Sequence, residues 1–396
     1  MRLEGLSLEG FRNYERLEAE FDPGVNLIVG DNAQGKTNLL EAMVYLSMGR
    51  SYRTRREQEL IRFGADFARL TARVAGQRRE QTMEAVLFSG RRPRQLFLNG
   101  VKKKTAGELA GVLTTVLFCP EDLLVLKSGA AARRRLMDGA LSQLRPNYEA
   151  ALSLYTRAYE QKSQILKQRF EAPSLLQVLP EYNRQLCQAG AAIISYRARF
   201  LEALGAEATA YHRSFSGGRE ALTVEYRTVS TVEDPFAPLP ALREALEAHM
   251  ESHARAELEA AQCLSGPHKD DFDLLLDGMS LKSFGSQGQV RTAAISLKLA
   301  QRALFLRDTG EEPVLLLDDV LSELDPGRQD FVLNQIRTGQ VFITCCESGR
   351  LTELGRVLHI AGGRLAGVAD MKIERKSLCG PSGSGEPGPS CPEGSP

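Results

Sequence analysis

The chain has 396 residues, 43% hydrophobic and 25% charged, the balance of a folded protein rather than a disordered or collagen-like one. No apolar run approaches the roughly 18 residues of a membrane-spanning helix, and the opening Met1-Arg2-Leu3-Glu4-Gly5 lacks the basic-then-apolar order of a secretory signal. Net charge is zero but unevenly spread: residues 1–135 hold 23 Lys and Arg against 16 Asp and Glu, and residues 136–396 hold 27 against 34.

A net of +7 beside a net of −7 permits a polyanion partner on the first half without requiring one. The seven cysteines show no paired or zinc-like spacing, which suits a reduced, cytoplasmic protein.

Residues 2–9 alternate apolar with polar and read as a strand, and Val25–Val29 is a short apolar run of the kind that forms a buried strand. Asn38–Met48 reads as a helix. Strands are expected at Leu70–Val74, Thr82–Phe88 and Gln95–Leu98, the last closed by the hairpin signal Asn99-Gly100, because both residues tolerate positive φ. Leu113–Cys119 is a further buried strand.

After Pro120 the texture becomes helical. Tyr148, Leu152, Tyr155 and Tyr159 share one helical face, and Tyr182, Leu186, Ala189, Ile193, Tyr196 and Phe200 form a heptad seam. Pro173–Pro180 holds the turn between these helices, and a third helical stretch covers Leu239–Leu264. Strands return at Val314–Leu317 and Val341–Thr344, and a closing hairpin spans Val357–Leu365. The expected division is a first half, 1–135; a helical insertion, 136–262, built as an antiparallel arm or a packed subdomain; a second half, 263–370; and a tail, 371–396. From Ser377 onward that tail is rich in Gly, Pro and Ser and is expected to be disordered.

Gly30-Asp31-Asn32-Ala33-Gln34-Gly35-Lys36-Thr37 fits the phosphate-loop pattern G-x-x-x-x-G-K-[ST] between an apolar strand and a helix. Such a loop turns backbone N–H groups and a helix N-terminus toward phosphate oxygens. Lys36 is then expected at the β- and γ-phosphates of ATP and the Thr37 hydroxyl at Mg²⁺. Leu315-Leu316-Leu317-Asp318-Asp319 supplies the matching acids. Paired carboxylates at the end of a buried strand repel unless a cation is near, so Asp318 is read as the second metal residue and Asp319 as the base that polarises the attacking water.

Ser283-Phe284-Gly285-Ser286-Gln287-Gly288-Gln289 precedes a helix expected from Val290 to Arg307 and resembles the signature motif of ABC-type ATPases. Ser322-Glu323-Leu324-Asp325 lies where that family has its D-loop. Phe11-Arg12-Asn13-Tyr14 is similar to the opening of the chromosome-maintenance branch. Several blocks narrow the resemblance to the RecF family of recombination and gap-repair proteins: Asp31 to Glu41, Gly49-Arg50-Ser51-Tyr52-Arg53, Pro120-Glu121-Asp122-Leu123 leading to Arg133-Arg134 and Asp138, and Gly266-Pro267-His268-Lys269-Asp270-Asp271. Ser128, Ala130 and Leu136 depart from the family's glycine, proline and aromatic. The ABC switch histidine is absent, and Thr344 is the nearest residue to its place.

The resemblance implies an α/β fold: an ABC-type P-loop ATPase head, with a mixed sheet and an antiparallel meander, carrying an inserted helical arm subdomain. It implies a slow Mg²⁺-dependent ATPase with nucleotide contacts from Arg12, Gly30 to Thr37 and Asn38. Ser286, Gln287, Gly288 and Gln289 act on the nucleotide of a second copy, and Ser322 and Asp325 form the D-loop. ATP then joins two copies head to tail as a clamp on duplex DNA near single-stranded gaps. RecO and RecR are implied as partners, RecA loading as the outcome and the nucleoid as the place.

Arg50, Arg53, Arg55 and Arg56, Arg91, Arg92 and Arg94, Lys102, Lys103 and Lys104, and Arg133 to Arg135 are the candidate phosphate contacts to DNA. Each cluster has a plainer reading as a solvated or acid-paired face, and His268 reads as structural rather than as a base. The alternatives are another ABC-type DNA-repair or chromosome ATPase and a non-hydrolysing ATP-sensing DNA-binding module. A helicase lacks its further motifs here.

Overall fold

The computed structural model describes residues 1–54, 56–77, 79–336, 338–346 and 349–369. Arg55 and the expected disordered tail lie outside the described residues. In chain order, strands β1 (Arg2–Phe11) and β2 (Tyr14–Glu20) form a hairpin, and β3 (Val25–Val29) leads into helix α1 (Lys36–Met48). Strands β4 (Phe67–Ala75), β5 (Glu80–Phe88), β6 (Gln95–Leu98) and β7 (Val101–Lys103) complete an antiparallel sheet ordered β2-β1-β4-β5-β6-β7. The β6–β7 turn sits where Asn99-Gly100 predicts it, with φ of 51° and 76°.

The second sheet, opened by β3, gains β8 (Thr115–Phe118) and is completed by strands from the far end of the chain. Between them come helices α2 (Ala130–Leu144), α3 (Pro146–Lys167) and α4 (Leu179–Ser216), strand β9 (Leu222–Arg227), and helices α5 (Leu239–Ser252) and α6 (Ala254–Ala260). Strands β10 (Asp271–Leu276) and β11 (Met279–Ser280), α7 (Leu281–Phe284) and α8 (Gln287–Thr309) follow. Strand β12 (Val314–Asp318), helix α9 (Pro326–Gln335) and strands β13 (Val341–Cys345), β14 (Arg356–Ala361) and β15 (Arg364–Ala369) close the fold.

The order β15-β14-β3-β13-β12-β8 places β3 between two strands that follow it by about 300 residues. Only β15 runs antiparallel to its neighbour. The period of two explains why β12 is apolar at every position but its last. Val314 and Leu316 face a core shared with α1 and the antiparallel sheet, whereas Leu315 and Leu317 face a core shared with α8 and the insertion. Helix α1 is covered on nearly all sides, with Leu39, Met43 and Tyr45 fully buried.

The heptad seam lies on α4, where Leu186, Ala189, Ile193 and Phe200 are buried. The protein's own α3, α5 and α8 pack against α4, so the helical insertion is a packed subdomain with an antiparallel α3–α4 pair. Strand β9 was not anticipated there. It pairs with β10 of the following segment, from Leu222 opposite Leu276 to Arg227 opposite Asp271, so the insertion and the second half share one small sheet. Its alternation is short and lies among polar residues, which masks it in the sequence.

Buried charge fastens the insertion to the head. The Arg197 guanidinium of α4 donates to Asp138 of α2 at 2.8 Å, to Asp270 at 2.7 Å and to the Pro267 carbonyl at 2.7 Å. The fully buried Asp270 also accepts from Thr228 at 2.7 Å and from Tyr226. Breaking such a buried pair from one side leaves an uncompensated charge, typically at a cost of about 3–5 kcal/mol.

His268 is structural, as read from the sequence. Its Nε2 donates to the Cys263 carbonyl at 3.0 Å, so Nδ1 accepts from the Tyr155 hydroxyl at 2.6 Å. Burial pushes the imidazole down to about 4, with the Cys263 carbonyl pulling upward and Lys269, Arg134 and Lys162 adding to the fall. Above pH ~6.5 the ring is neutral both folded and unfolded. Below that, the unfolded chain takes the proton first, and stability falls until the folded ring titrates near 4. Between pH 7.5 and 5, urea unfolding is expected to show a loss of about 2 kcal/mol that is absent from His268→Gln.

Candidate nucleotide site

The phosphate loop leaves the C-terminal end of β3, inside the parallel sheet, and passes directly into α1. Ala33 and Gly35 take left-handed φ of 63° and 118°. At Gly35 a Cβ would stand 2.7 Å from Asn13 Nδ2 and 2.9 Å from the Tyr14 hydroxyl, so glycine is required there for space as well as for φ. Two turns grip the loop. Asn13 donates to the Gln34 carbonyl and Tyr14 to the Gly35 carbonyl, each at 2.9 Å, while the Gly363 amide of the β14–β15 turn donates to the Gln34 carbonyl at 3.1 Å. The first turn of α1 therefore presents its amides from a fixed platform. Lys36 is 7% exposed, with its ammonium on the Gly30 carbonyl at 2.5 Å and the Asp31 carbonyl at 3.0 Å. Cys346 Sγ lies 3.6 Å from that ammonium and 3.1 Å from Asn32 Oδ1.

Asp318 ends β12 beside this loop. Its Oδ1 accepts from the Thr37 hydroxyl at 3.0 Å and the Thr344 hydroxyl at 2.8 Å, and its Oδ2 from Tyr52 at 3.3 Å. Burial raises its carboxyl above the usual range, against the opposing pull of the Thr344, Thr37 and Tyr52 hydroxyls. Asp319 is exposed and takes a left-handed φ of 52°. Its amide donates to Thr344 Oγ1 at 2.8 Å, and Ser322 donates to its carbonyl at 2.7 Å and its carboxylate at 3.2 Å. One threonine on β13 thus holds both acids.

A buried carboxylate that costs less when a cation is near, beside a threonine oxygen, fits Mg²⁺. That ion takes hard oxygen ligands and completes its shell with phosphate and water. Among the described residues, no cluster of three or more His, Cys, Asp or Glu side chains could hold a metal ion, so Thr37 and Asp318 would supply the protein's share.

Ser286 is the N-cap of α8 and forms a reciprocal capping box with Gln289: Gln289 N–H donates to Ser286 Oγ at 3.2 Å, and Ser286 N–H to Gln289 Oε1 at 3.1 Å. Ser286 and Gln287 are exposed. Asp325 caps α9 by accepting from the Arg328 amide at 3.1 Å and pairs with the Arg328 guanidinium, which holds its carboxyl below the usual range. Arg328 also donates to the Gly288 carbonyl at 2.9 Å, so the signature segment and the D-loop segment share one arginine.

The Arg12 guanidinium forks onto the fully buried Glu41 at 2.8 and 2.9 Å and donates to the Glu59 carbonyl at 2.8 Å, while the next two residues, Asn13 and Tyr14, make the contacts to the loop. Asn38 bonds Asn13 at 2.8 Å, and its Oδ1 accepts from Arg53 at 2.8 Å.

Among the basic candidates, Arg50 is tied to the Asp138 carbonyl and to Ser142, Arg94 to Glu57, Tyr45 and the Gly49 carbonyl, and Arg133 is buried in a fork on Asp271. Buried or doubly paired guanidinium groups are not free for a polyanion. Arg56, Arg91, Arg92, Lys102 and Lys104 are exposed, Arg53 is exposed but anchored on Glu41, and Lys103 is half-buried. Tyr52, Thr344, Glu41 and Asn13 were not singled out as site residues by sequence. Asn13, Glu41 and Tyr52 carry a signal only as members of blocks that resemble the family, and Thr344 only as the residue nearest the missing histidine.

The family described as RecF/RecN/SMC N terminal domain matches residues 2–364. The DNA replication and repair protein RecF of Symbiobacterium thermophilum is 40% identical over 349 residues, covering 88% of this chain and 92% of that protein. RecF of Bacillus subtilis (strain 168) is 38% identical over 349 residues, 87% and 93% of the two chains. A solved structure of the recombination mediator protein RecF with ATP in the RecFOR pathway superposes with a TM-score of 0.84 at 33% identity, covering 93% of this chain and 97% of that one. The Smc head domain of Pyrococcus furiosus, at 16% identity and a TM-score of 0.52, shares the fold.

Thr344→Val keeps the shape of β13 but removes the donor to Asp318 and the acceptor for the Asp319 amide. Leaving these groups unmatched is expected to lower unfolding stability by about 1–3 kcal/mol, read from denaturant titration at pH 7.

Proposed function

Since the chain belongs to the RecF/RecN/SMC N-terminal domain family and to its RecF proteins, we propose that it is an ATP-driven DNA clamp of recombinational gap repair. The observation that carries this reading is the disposition of the signature segment. Ser286 and Gln287 stand exposed at the start of a long helix, and the hydrogen bonds of residues 286–289 run to one another, Glu220, Arg328 and the following turn of α8. A helix N-terminus presented in that way is suited to the γ-phosphate held by a second copy.

ATP binds along Gly30 to Thr37, where Lys36 exchanges its two carbonyl contacts for β- and γ-phosphate oxygens. Asn13 and Tyr14 keep the loop in place during that exchange. Thr37 and Asp318 would hold Mg²⁺, which would supply positive charge beside the phosphates. The γ-phosphate is then shared by Lys36 of one copy and by Ser286 and Gly288 of the other, and ATP shifts the population toward the head-to-tail dimer. Asp319 polarises water for hydrolysis, and Thr344 stands where a histidine would assist, which supports a slow turnover. Loss of the γ-phosphate removes the shared charge and releases the pair.

Exposed Arg56, Arg91, Arg92, Lys102 and Lys104 contact duplex phosphates without reading sequence. RecR and RecO are the proposed partners and RecA loading the outcome, a reading supported by the RecFOR pathway to which the superposing structure belongs.

Sedimentation velocity with and without ATP and Mg²⁺ tests the central step. Wild type is expected to dimerise only with both, and Ser286→Arg to bind ATP yet stay monomeric. A wild type that remains monomeric with saturating ATP and DNA ends the proposal.

A further inference from the structure

The insertion reaches the signature segment through the last turn of α4. His212, fully buried on that turn, donates from Nε2 to Glu220 Oε2 at 2.9 Å. Its Nδ1 is buried with no hydrogen-bond partner, so the ring is best placed when the proton sits on Nε2. Gly217 and Gly218, with φ of 64° and 77°, reverse the chain and return Glu220 to the helix it has just left. The other Glu220 oxygen accepts from Gln289 Nε2 at 3.1 Å. The carbonyl end of that same Gln289 amide closes the capping box on the Ser286 amide at 3.1 Å. One planar amide is therefore fixed at both ends, by Glu220 on one side and by the signature backbone on the other.

A second link leaves the same turn. Phe215 packs edge-on against Phe331 of α9 with ring centroids 4.9 Å apart, and the Arg328 guanidinium lies over the Phe215 ring at 5.6 Å. Arg328 holds the Gly288 carbonyl at 2.9 Å, Thr292 Oγ1 at 3.1 Å and the Asp325 carboxylate. Two independent chains of contact thus run from residues 212–220 to the two segments proposed to face a second copy, one through Glu220 to Gln289 and Ser286, the other through Phe215 to Arg328, Gly288 and Asp325.

We propose that the end of α4, with Glu220 as its central group and His212 and Phe215 beside it, positions the signature and D-loop segments for ATP-bridged assembly. The inference rests on the clamp reading for its consequence, and on the contacts above for its geometry. A loop that must meet the phosphate of another molecule has to be held to within about half an ångström. An N-cap serine alone leaves the exposed turn free to fray. Glu220 removes that freedom without touching nucleotide, since both its oxygens are spent on His212 and Gln289. The same route gives the helical insertion, remote from ATP in the sequence, a direct grip on whether two copies can join.

The test uses the full chain with Glu220→Ala, and with Glu220→Gln as the conservative variant. Glutamine can still accept from Gln289 but forces the His212 proton onto the unpartnered Nδ1, so a partial rescue is expected. Hydrogen exchange is measured on the nucleotide-free monomer, fluorescent ATP binding on the same samples, and assembly by sedimentation velocity with ATP and Mg²⁺. For Glu220→Ala the amides of residues 286–289 are expected to exchange about tenfold faster, and the concentration for half-assembly to rise about tenfold, the equivalent of one charge-assisted hydrogen bond. ATP affinity is expected to stay within about twofold. Unchanged exchange at 286–289 in both variants overturns the inference, whatever the assembly result. Faster exchange with unchanged assembly, in a wild type that dimerises, overturns it as well. If wild type itself fails to dimerise, the clamp reading falls and exchange alone decides whether Glu220 positions the loop.

Discussion

The hydrogen bond between Thr37 and Asp318 joins residues 281 positions apart, and most of the architecture exists to let it form. Thr37 follows a strand from the beginning of the chain, and Asp318 ends one near its close. They meet because β3 lies between β13 and β14, with β12 on the far side of β13. The parallel sheet cannot be finished until both ends of the chain are in hand. Closing so long a loop costs entropy before any contact repays it, and the two faces of the sheet supply the return. A strand such as β12 feeds two cores at once, so a one-residue slip in register would carry Asp318 from the site into one of them.

That constraint explains the insertion's attachment. A segment that leaves the head after β8 and comes back before α8 has to be tied down, or the strands on either side of it would lose their alignment. The tie is made in two materials. Apolar packing of α4 against α8 extends the head's core into the insertion. Arg197 then bridges Asp138 and Asp270 in the buried interior, a contact that is costly to form and more costly to leave half-made. Arg50 carries the same junction back to the end of α1 through the Asp138 carbonyl and Ser142. The helical insertion is therefore part of the frame of the nucleotide site, and not an appendage beside it.

Charge at the site follows the same economy. Glu41 is fully buried and survives there because Arg12, Arg53 and Ser51 converge on it. Asp318 is buried with three hydroxyl donors and no cationic side chain bonded to it, which leaves it favourable to a metal ion. The contrast between these two carboxylates, one matched by guanidinium groups and one by hydroxyls alone, distinguishes them more clearly than exposure does.

Contiguous features could be read directly from the residues. The phosphate loop, the Asn99-Gly100 hairpin and the apolar run before Asp318 all depend on backbone angles and hydrogen bonds within a few residues, so spacing alone specifies them. Spacing did not reveal that Arg12 turns to Glu41 while Asn13 and Tyr14 take the loop, that Arg50, Arg94 and Arg133 are committed to internal partners while Arg56 and Lys102 are not, or that Glu220 belongs to the signature segment. A charged side chain's role is set by whatever stands within about 3 Å of its tip, and here those neighbours come from strands and helices tens to hundreds of residues away. Strand order and helix packing decide that neighbourhood, and they exist only once the chain has folded.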